Sequence, residues 1–372
     1  MSESNKVLGI IFSNMHDDRM GDLTMARTMG SVPYGGRYRL VDFALSNMVN
    51  AGIRNVGLVT KSNYHSLMDH VGSGREWDLA RKIGGLTILP PFARAAAGIY
   101  RGNLEALNGI SAFIRSAKAS YVLVCDCDLV ANIDFAALLA CHQQNGAGIT
   151  LLYGRHDVAS HGGDNVVLSV GEDGFLRDAV LDPDAKGEQD VYLNIAVFDK
   201  ELLLRLTADG VNHGKYSIHD ILQEQAQARN VYCCPTQSCF FRIHNMVDYF
   251  AANMALLDGG VREEIFYRGR PVLTKIRDQA PAKYGLNSSV KNSLVADGCI
   301  IEGTVENSIL FRGVKVGAGA VVRNSILMQD TVVDDNAQLE YVILDKDVLI
   351  RDGRRLAGYL TYPLYVPKKS HI

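Results

Sequence analysis

Nowhere in this sequence does an apolar run approach the ~20 residues that a membrane-spanning helix needs. The opening MSESNKVLGIIF carries an apolar stretch too short for a secretory signal, so the expected location is the cytoplasm. Clustered positive charge is missing as well: 38 Lys and Arg stand against 41 Asp and Glu, a net charge of -3, with no Lys/Arg cluster. Neither nucleic acid nor an anionic membrane surface is an expected partner. No CxxC pair occurs, and seven cysteines, an odd number in a long chain, read as reduced core thiols rather than a disulfide framework. Without such pairing or nearby paired histidines, Cys125, Cys127, Cys233, Cys234 and Cys239 do not read as a metal centre. Cys125 and Cys127 alternate along one apolar run and would share one face of a strand.

Glycine is also missing at the position where a nucleotide-binding domain most needs it. The apolar run Val7 to Phe12 breaks into the polar turn SNMHDDRMGDLT, the usual place of a phosphate loop in an α/β domain. Such loops are glycine-rich so that backbone N–H groups can close on phosphate. This one has no glycine before Gly21 and carries Asp17, Asp18 and Asp22.

A sizeable core is available, because 47% of the 372 residues are hydrophobic, and the pattern of that hydrophobicity divides the chain in two. Over residues 1–267, short β-like runs (56–60, 86–92, 121–129, 148–154) alternate with amphipathic helical stretches. In NLEALNGISAFIRSA, Ala106, Ile110, Phe113 and Ile114 recur at one-face helical spacing. A hairpin turning at Asp173-Gly174 and a strand VYLNIAVF follow, so this half is an α/β domain with a mostly parallel sheet and an antiparallel excursion. Residues 268–289 hold two prolines and no sustained period, and read as an extended linker. From 290 to 372 the period changes: VKNSLV, VENSIL, VRNSIL and LEYVIL begin at 290, 305, 322 and 339. A repeat near eighteen residues built of six-residue units predicts a β-helix with three short strands per coil, the Asn-Ser pairs near its corners. With only about four coils, its ends and one face need cover from the first domain and from another subunit.

The stretch SVPYGGRYRLVDFALSNMVNAGIRNVGLVT (31–60), followed by a sheet domain and hexapeptide repeats, resembles the bacterial glucose-1-phosphate adenylyltransferases, also called ADP-glucose pyrophosphorylases. The resemblance covers essentially the whole chain. It implies a nucleotidyltransferase-like (Rossmann-like) mixed sheet followed by a left-handed parallel β-helix. It also implies a reaction in which glucose 1-phosphate attacks the α-phosphate of ATP with Mg²⁺ bridging the charged oxygens, a chemistry of positioning and charge neutralisation. The residues that would perform it are altered. The family's Gly-Gly-x-Gly-x-Arg-Leu loop falls on Asn14, Met15, His16, Asp17, Asp18, Arg19 and Met20, where only Arg19 matches. Met29 and Gly30 stand for a Lys-Pro pair whose lysine lies near the phosphates. Of two metal-holding aspartates, Asp128 falls on the first and Arg242 on the second, a change from carboxylate to fixed cation. Asp182 replaces a phosphate-binding lysine, and Asn194 and residues 216–218 replace sugar contacts. GNLEA (102–106) keeps Gly102, places Asn103 beside it and exchanges an aspartate for Glu105.

The resemblance therefore implies a noncatalytic subunit, like the partner polypeptide that some bacteria pair with the catalytic adenylyltransferase in glycogen synthesis. Its degenerate positions are Asn14, Met15, Asp17, Met29, Asp128, Asp182 and Arg242. Residual ligand contacts, if any, would come from Arg19, Gly102, Asn103, Glu105, Asn194 and Asp128. No cofactor or metal is expected; Mg²⁺ enters only in the alternative of an active nucleotidyltransferase, which Asp128 and Arg19 favour. A solenoid acyltransferase would need a catalytic histidine, and residues 290–350 contain none. The expected partner is a catalytic adenylyltransferase subunit in a heterotetramer, met along the solenoid and the adjoining helices. Arg37 and Arg39 in GGRYR could hold an anionic effector, a sugar phosphate or nucleotide, or be a solvated basic pair.

Overall fold

The first apolar run forms strand β1 (Val7–Phe12), with every residue buried, in a computed structural model that describes residues 6–13, 15, 20–90, 100–158, 165–182 and 185–372. The chain continues through β2 (Pro33–Tyr34), β3 (Tyr38–Arg39), helix α1 (Leu40–Asn50), β4 (Asn55–Val59), α2 (His65–Val71) and β5 (Gly85–Leu89). Helices α3 (Asn103–Gly109) and α4 (Ser111–Ser116) precede β6 (Tyr121–Asp126), β7 (Leu129–Ala131), α5 (Phe135–Asn145) and β8 (Ile149–Asp157). After β9 (Val166–Val170), β10 (Leu176–Leu181) and β11 (Glu188–Asp199) come α6 (Lys200–Asn212), α7 (His219–Gln227), β12 (Val231–Pro235), β13 (Phe240–Arg242), α8 (Met246–Ala255) and α9 (Gly259–Ile265).

Among the described residues nine of these strands make one mixed sheet. Strands β6, β1, β4 and β5 run parallel, whereas β11 pairs antiparallel with both β6 and β8. Strand alternation divides the side chains between two apolar layers: Leu8, Ile10 and Phe12 enter one, Val7 and Ile11 the other. Cys125 and Cys127 share the second layer. β9 and β10 form the expected hairpin, with Gly174 at φ +79° in its turn. Residues 103–117 are two helices meeting at Ile110, just after Gly109, where a single helix was expected. The face predicted for them holds, since Ala106, Ile110 and Ile114 are buried together.

The C-terminal half is the left-handed β-helix. Three parallel sheets each stack five short strands, and the first strand, Lys283–Tyr284, already lies inside the segment expected to be linker. Asn292, Asn307 and Asn324, with φ of 41°, 47° and 46°, occupy equivalent corners in the left-handed region that asparagine tolerates best after glycine. The serines beside them form a ladder: the Ser308 N–H donates to Ser293 Oγ, the Ser325 N–H to Ser308 Oγ and the Val342 N–H to Ser325 Oγ, each at 3.1 Å. This satisfies corner amides that no strand pairing reaches.

One sheet of the solenoid is buried on both sides. Leu310, Leu327 and Leu344 face the solenoid interior. Their neighbours Ile309, Ile326 and Ile343 point outward into a core shared with Met20, Leu23, Met29, Tyr34, Phe43 and Phe250 of the sheet domain. Set in this seam is a buried ion pair. Arg27 Nη2 donates to both carboxylate oxygens of Asp345, at 2.8 and 2.6 Å, with side-chain exposures of 4% and 2%, and Tyr365 Oη donates to the same carboxylate. Among the described residues no helix is long and apolar enough to cross a membrane. Ile326→Ala, at the middle of the seam, is expected to lower the unfolding free energy by about 2–5 kcal/mol in urea denaturation; a loss below about 1 kcal/mol would mean that the two halves are not packed through this residue.

Candidate functional site

At the end of β6 the chain turns through Cys127 and Asp128 into β7, which pairs antiparallel with β13, with Arg242 opposite Leu129. The Ile243 N–H donates to the Asp128 carbonyl at 2.8 Å, so the two residues that the sequence aligned with metal-holding aspartates become neighbours. Arg242 Nη2 stands 3.6 Å from Asp128 Oδ2, and the side chains are 3% and 1% exposed. Asn194 Nδ2 donates to the same oxygen at 3.0 Å. It does so from a bulge: the pairing of β11 with β8 slips between Tyr192 and Ile195, and Asn194 at φ +55° turns its amide toward the cleft. Arg242 Nη1 in turn donates to Asn165 Oδ1 at 3.0 Å, and the Asp182 N–H donates to the Asn165 carbonyl at 3.0 Å.

These residues do not fit a divalent cation, which takes carboxylate and carbonyl oxygens at a close, regular distance. A guanidinium occupies the charge-neutralising position instead. No group of three or more acidic, His or Cys side chains suited to a metal occurs among the described residues. Burial first, and the Arg242 charge among the further causes, hold His156 and His244 below the usual histidine range. Neither carries a charge that would compete for Asp128.

The sugar-side segments are stitched to each other. Gly102 sits where a Cβ would collide with the Tyr216 carbonyl oxygen, so only glycine allows the approach. That carbonyl accepts the N–H groups of Leu104 and Glu105, and Asn103 Oδ1 accepts the Ile218 N–H at 2.7 Å. Glu105 accepts from the Arg101 backbone N–H and pairs with its guanidinium at 2.9 Å. The first-turn amides and polar side chains of α3 are thus engaged within the protein. Of the loop, Asn14, His16, Asp17, Asp18 and Arg19 lie outside the described residues. Met15 packs against the sheet's first apolar layer, and Met20 and Met29 are each 1% exposed in the seam core. The position assigned to a phosphate-seeking lysine is a core methionine.

A second cleft has the opposite character. Arg37 and Arg39 come together with Lys275 and Arg277 from the connecting segment and with Arg312 and Lys346 from the solenoid; His70 closes one side. Arg39 is held by the Ser66 carbonyl and hydroxyl, and its N–H donates to Asp42, whose other oxygen lies 2.6 Å from His70 Nε2. His70 lies edge-on to Trp77, the single tryptophan, with ring centres 5.9 Å apart. Arg312 is 3% exposed, and its Nε and Nη2 have no hydrogen-bond partner among the described residues. Burial lowers Arg39 to about 10 and, helped by the charges of Arg39 and Arg27, Lys346 to about 7; it pushes His70 and Arg312 down as well. Among the described residues, cations gather here in greater number than the carboxylates around them.

Sequence reasoning found Arg37 and Arg39 here and missed the rest. A signal was present: Arg312, Gln329 and Lys346 fall seventeen residues apart, one per coil, at one corner of the solenoid. Asn165 in the other cleft carried no pattern.

The nucleotidyl transferase family model matches residues 8–259, and a GlmU-like C-terminal hexapeptide model matches residues 279–358. Over 321 residues the chain is 38% identical to glycogen biosynthesis protein GlgD of Geobacillus stearothermophilus, covering 86% of this chain and 83% of that one. Glycogen biosynthesis protein GlgD of Bacillus subtilis is 33% identical over 323 residues, with 86% and 83% covered. Glucose-1-phosphate adenylyltransferase of Pseudothermotoga lettingae is 32% identical over 324 residues, with 85% and 76% covered.

Arg242→Met is expected to destabilise the fold by about 3–5 kcal/mol, because it strands the buried Asp128 charge. The double change Asp128→Asn with Arg242→Met should restore most of that loss in the same denaturation experiment, and no recovery would mean that the guanidinium serves packing rather than charge.

Proposed function

This chain belongs to the glucose-1-phosphate adenylyltransferase family, and on that premise we propose that it is a noncatalytic, regulatory subunit in bacterial glycogen biosynthesis. It acts in the cytoplasm on a catalytic homologue, through contacts within a hetero-oligomer, most simply a heterotetramer joined along the solenoid and neighbouring helices. The observation that carries this reading is the Arg242 guanidinium set against Asp128, both buried, where the family's reaction needs two carboxylates and a metal. The reading requires no cofactor, and Mg²⁺ belongs only to the alternative of an active enzyme.

Regulation without chemistry needs only differential contacts. If the partner's active conformation meets this chain better than its inactive one by ~1–3 kcal/mol, the equilibrium shifts about 5- to 150-fold. The cationic cleft is where a small anion, a sugar phosphate or a nucleotide, would tune that preference. It joins the sheet domain, the connecting segment and the solenoid, and the buried Nε and Nη2 of Arg312, which have no partner among the described residues, support an anionic occupant.

Purified alone and supplied with ATP, Mg²⁺ and glucose 1-phosphate, the chain should form no ADP-glucose. Mixed with a catalytic homologue from the same cell, it should change that enzyme's rate or substrate affinity. Robust turnover by the chain alone would sink the regulatory reading. Titrated calorimetrically with inorganic sulfate, whose charge is constant over this range, the chain should bind more tightly at pH 6 than at pH 8. Lys346, lowered to about 7, is charged below that pH and loses its charge above it, and His70, also lowered, acts in the same sense. Arg312→Gln should weaken binding about tenfold or more, and affinity independent of pH and of Arg312 would remove the anion from the cleft.

A further inference from the structure

One corner of the solenoid brings a side chain from each of three successive coils to the cationic cleft. The Asp330 N–H donates to the Arg312 carbonyl, the Asp347 N–H to the Gln329 carbonyl and the Lys369 N–H to the Lys346 carbonyl, each at 3.0 Å. Arg312, Gln329 and Lys346 therefore stand in register, and all three line the cleft with Arg39, the residue before α1. Lys346 is half-buried, and among the described residues its Nζ has no hydrogen-bond or ion-pair partner. The carboxylate next to it in sequence is taken: Asp345 binds Arg27 and Tyr365 and accepts the Lys346 backbone N–H at 2.7 Å. Neighbouring amines are placed otherwise. Lys275 donates to the Asp69 carbonyl, and Lys368 pairs with Asp347 at 3.9 Å. The cleft thus sets one unpaired amine beside Arg39 and Arg312, where cations outnumber carboxylates.

We propose that Lys346 is a modification site, at which carbon dioxide is held as a carbamate on the ε-amine. The amine lone pair attacks the carbon of carbon dioxide; an N–C bond forms, one C–O π bond becomes a carboxylate oxygen, and a proton leaves the nitrogen for solvent. One neutral amine and one carbon dioxide thus give one carbamate and one proton, with no oxidant or reductant, and acid reverses the step. A lysine can make this attack only while uncharged. Burial first, then the charges of Arg39 and Arg27, with Asp345 opposing and Lys368 assisting, bring Lys346 down to about 7. Near neutral pH a large share of it is therefore free amine, whereas an ordinary lysine, at about 10.4, is almost wholly charged. The surroundings then favour the product. The carbamate places an anion in a cleft lined by Arg39, Arg312 and the Gln329 amide, whose N–H donors suit its carboxylate-like oxygens. This inference stands whether or not the chain regulates a partner.

The test incubates the full chain with carbon-13-labelled bicarbonate, the source of dissolved carbon dioxide, and then adds a triethyloxonium salt, which ethylates a carbamate oxygen and fixes the adduct. Peptide mapping by mass spectrometry should place the labelled ethyl carbamate on Lys346 at pH 8. It should fall away at pH 5.5, where Lys346 is protonated. In carbon-13 spectra the Lys346→Arg variant, which keeps the cation, should lose the carbamate resonance that the unmutated chain shows. The peptide map of the unmutated chain stands independently of how well the variant folds. The proposal is overturned if Lys346 of the unmutated chain carries no adduct at pH 8, as it would if the cleft took bicarbonate only as a free anion. Labelling of Lys346 no greater than that of the exposed lysines would overturn it as well.

Discussion

A charge buried away from water must be neutralised by something, and the two clefts of this chain meet that requirement differently. Around Asp128 the counter-charge is internal: Arg242 and Asn194 converge on the carboxylate, and Asn165 receives the other side of the guanidinium. Between the domains, Arg37, Arg39, Lys275, Arg277, Arg312 and Lys346 converge with far fewer carboxylates among them. Burial above all, and the neighbouring cations after it, lower the proton affinity of Lys346, His70 and Arg39. Asp128 thus has an internal counter-charge, whereas the interdomain cations have fewer among the described residues. An ion pair inside the first cleft contributes little net stability, since desolvation offsets the attraction, but it costs a great deal to break. A divalent cation and a polyphosphate would have to displace Arg242 to enter.

The solenoid repeat assigns its positions with similar economy. In three successive coils a serine at 308 and 325, replaced by Val342 in the third, holds the corner, and an isoleucine at 309, 326 and 343 faces the sheet domain. The leucine that follows, at 310, 327 and 344, fills the interior. The next position supplies Phe311 and Met328 to the seam and then Asp345, which binds Arg27. One residue later stand Arg312, Gln329 and Lys346, at the cleft. Core, seam, ion pair and cationic cleft are therefore set by adjacent positions of one repeat. A shift of register by one residue would exchange all of them at once.

This organisation explains what could be read in advance. The change of period, the coil length and the corner asparagines were legible because a solenoid's contacts are between equivalent positions of neighbouring coils. The sheet domain was legible as α/β from its alternating runs, and Gly102 and Arg242 from their place in the family's motifs. The break at Ile110 was not, because the apolar spacing continues across it. Nor were Asn165, which has no motif, and the Arg27–Asp345 pair, whose members are joined only by docking one domain on the other. The start of the solenoid at Lys283 was hidden because its first strand, Lys283–Tyr284, is exposed and precedes the first Asn-Ser corner, at Asn292.

The same adjacency bears on how an anion in the cleft could reach a partner subunit. Lys346 lines the cleft, and the residue before it, Asp345, accepts its N–H as well as the Arg27 guanidinium. Arg27 belongs to the segment that runs from Met20 to Met29, of which Met20, Leu23 and Met29 lie in the seam. An anion that draws Lys346, Arg312 and Arg39 together would therefore act on both sides of that seam and on the segment that follows the turn after β1. The packed seam resists gradual deformation, so it transmits such a pull by favouring one docking over another. An anion that binds the two dockings equally would shift nothing. Because these cations come from the sheet domain, the connecting segment and the solenoid, the affinity of an anion bound among them would depend on how the domains sit.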